Sequence, residues 1–119
     1  MLERVESPEN VRAVRAVGKV EKADYENTLD PAVAEMIKAQ DEVRFVYVLG
    51  DDFDGYSVGA GWEDTKLGIG HRSKWKRIAV VSNHDWIRHA VGMFGWMVPG
   101  DVKVFPLQEQ AAAMEWAAG

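Results

Sequence analysis

Two dense apolar runs stand out along the chain, Val43–Leu49 (VRFVYVL) and Arg77–Val81 (RIAVV). Their near-continuous character predicts strands buried on both faces, the second starting near Trp75. Upstream the pattern alternates. Val11, Ala13, Arg15 and Val17 interleave with Arg12, Val14 and Ala16, and Met1–Glu6 precedes them across Ser7-Pro8-Glu9-Asn10. That predicts a hairpin with the polar tetrad as its turn, and Gly18 is expected to end its second strand. Lys22–Thr28 suits one or two helical turns. Asp30-Pro31 then reads as an N-cap with proline at the first helical position, so a kink or restart is expected at Pro31. From there a helix should run to about Gln40, with Val33, Met36 and Ile37 on one side. Gly50–Gly55, rich in Asp and Gly, reads as a turn. Ser57–Ile69 reads as a helix weakened by Gly59, Gly61 and Gly68. Ser82-Asn83-His84-Asp85 resembles a capping box with Ser82 as the cap, opening a helix to about Phe94. Ile87, Ala90, Val91 and Phe94 are spaced for it. Pro99-Gly100 turns the chain into a short strand, Val102–Phe105, and Gln108–Ala118 is an alanine-rich last helix.

After the hairpin, strands and helices alternate, which predicts an α/β fold. A mostly parallel central sheet of about five strands should carry helices against it, joined by right-handed crossovers. The 119 residues fit a single domain, 1–119, with a radius of gyration of about 13 Å. Apolar residues make up 47% of the chain, which excludes disorder. A formal net charge of -5 disfavours nucleic-acid binding, and the basic run from His71 to Arg77 is too short to reverse that. With no cysteine there is no disulfide, thiol nucleophile or thiolate metal site. No apolar stretch reaches the roughly 20 residues of a membrane span. The first ten residues carry acids and no apolar core, so no secretion signal is expected and the cytoplasm is the expected location.

Several local segments, taken in order, resemble the SpoIIAA-like STAS family over nearly the whole chain. They are Gly18, Asp24-Tyr25, Phe53-Asp54-Gly55-Tyr56, Trp62-Glu63-Asp64-Thr65-Lys66 and His71. Next come Arg77-Ile78-Ala79-Val80-Val81 with Trp86, then Val104-Phe105 and Trp116. The resemblance implies a STAS-like single domain without a known active site, a carrier of nonpolar ligands or a module for binding partners. Anti-sigma-antagonist relatives are switched by phosphorylation of a serine at the start of the helix after the central strand. Ser57 is the nearest position. Its surroundings, Gly55-Tyr56-Ser57-Val58-Gly59, lack the relatives' Asp-Ser-Ser/Thr-Gly motif, so Ser57 is expected to cap its helix rather than to act as a switch.

Catalytic chemistry finds little to build on. His84 and His89 are five apart, about 140° on an ideal helix, whereas two metal ligands on one face want a separation of three or four. Glu63 and Asp64 point about 100° apart and do not flank one bond. Asp51, Asp52 and Asp54 read as solvated turn carboxylates without an EF-hand order. Neither phosphate-binding glycine signature occurs. No cofactor, metal or catalytic residue is therefore expected; an enzyme using the Asp-rich turn, Asp64 and His71 is the outlying alternative. Aromatic residues and methionines say more. Tyr56, Trp62, Trp86, Met93, Phe94, Trp96 and Met97 cluster around the two helices that follow the buried strands, and Met93–Val98 (MFGWMV) is uncharged where a loop is expected. They predict an apolar site for a nonpolar small molecule or lipid between helices and sheet. A regulatory protein-protein contact, anti-sigma-antagonist-like or homodimeric, would use the same surface.

Overall fold

The computed structural model describes residues 1–57, 59, 74–95 and 100–119. Five strands form one sheet in the order β1-β2-β3-β4-β5. They are β1 (Leu2–Val5), β2 (Arg12–Val20), β3 (Val43–Tyr56), β4 (Trp75–Ser82) and β5 (Asp101–Phe105). β1 runs antiparallel to β2 as the expected hairpin, and every other pairing is parallel. The two apolar runs are neighbours as expected, with Val46 opposite Ala79 and Val48 opposite Val81.

β3 is apolar on both faces because both faces are covered. Phe45, Leu49 and Phe53 join one core cluster with Val33 and Met36, while Val46 and Val48 join another with Ala113 and Ala117. The first cluster lies under the crossovers. α1 (Lys22–Asp24), a π turn (Tyr25–Leu29) and α2 (Asp30–Gln40) link β2 to β3, and α3 (Asp85–Phe94) follows β4. Strand order never reverses, so the described right-handed crossovers, β2 to β3 and β4 to β5, fall on one side of the sheet. Ile87 of α3 accordingly shares its cluster with α2. Among the described residues the other face receives only α4 (Gln110–Ala118), entered through a 3-10 turn at Leu107–Glu109. Its last carbonyls, which no helical amide reaches, are met by side chains. Arg77 donates to Trp116 O at 2.7 Å, Arg44 to Ala117 O at 2.9 Å and Asn10 to Ala118 O at 2.9 Å.

Four expectations are corrected. Gly18 does not end β2. The strand passes through it at φ +63 with a register shift on either side and continues to Val20. Gly50–Gly55 is not a turn. β3 runs through it because the prolonged β2 supplies partners, Gly18 for Phe53, Lys19 for Gly55 and Val20 for Tyr56. Pairing with a neighbour outweighs the poor strand propensity of Asp and Gly. Asp30 is not an N-cap, because its backbone is already helical at φ -57 and ψ -46, and the helical path does not restart at Pro31. Instead the Asp30 N–H bonds to Tyr25 O, five residues back. That wider turn accommodates a proline that has no N–H and crowds the carbonyl four residues before it. Finally, Ser82 belongs to β4 and His84 is the N-cap of α3, with the Ser82 hydroxyl accepting the His84 N–H at 3.1 Å.

The radius of gyration is 12.9 Å, close to the value expected from length. No helix among the described residues is long and apolar enough to cross a membrane.

Candidate functional site

The four parallel strands β2 to β5 end on one edge of the sheet, at Val20, Tyr56, Ser82 and Phe105. In open α/β sheets ligands gather beyond that edge. Here the chain leaves β4 through Asn83 and His84 into α3. Asn83 Oδ1 accepts the Leu107 N–H at 3.0 Å, which ties the end of β4 to the turn after β5. His84 Nε2 lies 2.8 Å from Gly50 O, and because a carbonyl only accepts, Nε2–H donates to the β3 strand. Strand ends and helix start are thus held by one short polar link each.

Three rings meet at this corner. Phe53, only 5% exposed, rises from β3 and stacks on Trp86 at 6.1 Å and 26°. The edge of His84 meets Phe53 at 6.2 Å and 71°, and His84 stands 6.4 Å from Trp86. Such offset and edge contacts add to simple burial. Trp86 is braced on its inner side and yet 54% exposed. Met93, one helical repeat of seven further on, is 65% exposed. Seven residues return to nearly the same side of a helix, so Trp86 and Met93 share one face of α3, with His89 and Ala90 between them. The opposite face holds Ile87, 4% exposed, and Val91, which packs on the core. α3 is therefore apolar both toward the sheet and away from it. A singly exposed Leu or Met is ordinary, but a braced tryptophan and a methionine on one outward face form a surface of the kind used for binding.

The remaining expected residues divide by position. Tyr56 closes β3 opposite Val20, and Phe94 closes α3. Ser57 follows at once, its N–H bonded to Val20 O at 2.9 Å. Trp62, Trp96 and Met97 lie outside the described residues, as do Glu63, Asp64, His71 and most of the expected 57–69 helix. Phe53 and His84 are members of the corner that the ring count along the sequence missed. The sequence places Phe53 in the Gly50–Gly55 turn, and offers His84 as a metal candidate and as part of the capping segment that opens the next helix. A polar break in an apolar strand hid the first, and nothing local marks the second as a ring partner.

Among the described residues no three His, Asp or Glu side chains converge as a metal site. Arg4 clasps Glu35 through two hydrogen bonds of 3.1 and 2.8 Å, which lowers the Glu35 carboxyl and raises the Arg4 guanidinium from their ordinary values.

A sequential sheet with an N-terminal hairpin, crossover helices on one face and a closing helix on the other defines a STAS-like α/β domain. The chain belongs to the SpoIIAA-like family, whose model, described as SpoIIAA-like, matches residues 11–118. It is similar to a crystal structure of an uncharacterized protein from the DUF3478 family with a SpoIIAA-like fold, from Shewanella loihica PV-4. The two are 27% identical with a TM-score of 0.74, over 98% of this chain and 92% of that one. No curated protein matches the chain.

Proposed function

We propose that the chain is a non-catalytic binding module that takes up a nonpolar small molecule or lipid against the outward face of α3. The observation that carries this is the joint exposure of Trp86 and Met93 on one helical face, at 54% and 65%, with Trp86 braced by buried Phe53. Bracing matters because an aromatic side chain already held in place loses little further freedom on binding. The site also lies at the carboxyl edge of the parallel strands. Tyr56, Trp62, Phe94, Trp96 and Met97 belong to the same proposed surface by their place in the chain. Covering about 200 Å² of apolar surface yields about 5 kcal/mol at 25 cal/mol per Å², before association costs of similar size. Binding is therefore expected to be weak to moderate and tolerant of ligand shape.

The test is titration with fatty acids and with an environment-sensitive hydrophobic dye, read by fluorescence, for the parent protein and for Trp86→Ala and Met93→Ala. Saturable binding that weakens in both variants is the expected result. No response to any apolar ligand, or an equal response in all three proteins, would overturn it. More than half of each side chain faces solvent, which also suits a flat contact with a second protein or a second copy. Native mass spectrometry separates the two: a dimer lost in Trp86→Ala, with no co-purified ligand, assigns the surface to a protein contact.

A further inference from the structure

β5 is the last strand on its side of the sheet. Among the described residues only β4 pairs with it, and no other backbone hydrogen bond engages Asp101–Phe105. Along its outer edge alternate residues therefore present N–H and C=O groups with no strand to take them, and such an edge is a template for another strand. Neither a proline nor a register shift interrupts β5.

The side chains decide which strand fits. Asp101 and Lys103 are exposed and, at a spacing of two, stand on the same face as Phe105, the face that α4 covers. Neither makes an ion pair among the described residues, and Lys103 Nζ lies instead over the Phe105 ring at 5.0 Å. Val102 and Val104, both half-buried, take the opposite face. Two copies of one strand, paired antiparallel about a two-fold axis normal to the sheet, keep every side chain on its own face. With that axis at Val102, Asp101 stands opposite the partner's Lys103, and Lys103 opposite the partner's Asp101. With the axis at Lys103, lysine would oppose lysine. Opposite charges placed so stabilise a strand pair and like charges destabilise it, so the pattern selects one register. The other edge of the sheet lacks this property. The opposite charges within β1, Glu3 and Arg4, are sequence neighbours on opposite faces and cannot meet in such a pairing, and Arg4 is already held by Glu35.

We propose that the free edge of β5 is a contact for a second copy of this chain, with β5 pairing antiparallel about Val102 so that one sheet continues through both copies. The contact is separate from the outward face of α3. It spans only the few residues around Val102, so association is expected to be weak and to depend on concentration.

The experiment is sedimentation equilibrium of the whole chain over about a hundredfold range of concentration, with amide hydrogen exchange read at β5. The parent should dimerise as concentration rises, and the β5 amides should gain protection in step. Asp101→Lys and Lys103→Asp each set like charges opposite one another twice, and each should weaken the dimer about tenfold or more. Both substitutions in one chain should restore it, and the two single variants, mixed, should associate with each other better than either does with itself. Trp86→Ala should leave the dimer unchanged. Circular dichroism checks that the variants, both at exposed positions, stay folded. A parent that is monomeric throughout, single variants that dimerise like the parent, or a double variant no better than the singles would overturn the proposal. So would a dimer lost in Trp86→Ala, which places the contact at α3, or growth past the dimer, which marks a head-to-tail pairing of unlike edges.

Discussion

Trp86 and Glu35 show how differently single residues are determined. Trp86 sits on the surface with a buried ring beneath it. Its removal should alter binding far more than stability, at a cost of about 1 kcal/mol or less. Glu35 is an exposed carboxylate held by Arg4 at 2.8 Å, with Arg12 Nε at 3.8 Å. Its hydrogen bond from Arg4 lowers its titration below the ordinary 4.5. A lowered carboxyl stabilises the fold above the unfolded value, and the benefit is lost as pH falls through the folded one. Glu35→Gln should therefore be less stable than the parent at neutral pH, and the gap should close below about pH 4.5. Urea midpoints measured from pH 7 to pH 3 check this, and a gap that is constant or widens in acid would contradict it.

At the scale of elements, the prolonged β2–β3 pair decides the corner. Phe53 reaches Trp86 only because β3 continues past Leu49, and β3 continues because β2 passes through Gly18 to meet it. Gly18 has φ +63 and nothing within 4 Å of where a Cβ would stand. Replacing it costs backbone strain and no clash. Gly18→Ala should lower stability by about 1–2 kcal/mol, and Gly18→Asn by less, because asparagine tolerates the left-handed region. Chemical denaturation measures both. Equal midpoints for the parent and the alanine variant would show that the bulge relaxes instead. Pro31 makes a related point about helices. One proline is absorbed by one π turn, so α1 and α2 form a continuous path along the sheet instead of two separated helices.

The whole molecule is closed by contacts between distant segments. Asn10 reaches the last helical carbonyls from the hairpin turn, while Arg44 and Arg77 reach them from β3 and β4. Arg77 also lies over the Trp116 ring at 5.2 Å. With all five strands in one sheet and the last helix tied to three of its parts, unfolding should be a single transition. Far-ultraviolet and near-ultraviolet circular dichroism should then give the same midpoint. Two separated transitions would refute one domain over residues 1–119.

Composition along the chain determined the α/β class, the hairpin and the parallel pairing of the 43–49 and 77–81 runs. The reason is local: strands buried on both sides must be apolar at every position, and that pattern is visible without knowing the neighbours. The span of α2 to Gln40 and that of α3 to Phe94 were legible for the same reason, through helical periodicity. Tertiary structure alone decided what depends on a partner. Gly50–Gly55 reads as a turn until β2 offers Phe53 and Gly55 partners to pair with. Taken singly, Trp86 and Met93 read first as core residues, until the opposite side of α3, Ile87 and Val91, is seen to take the core.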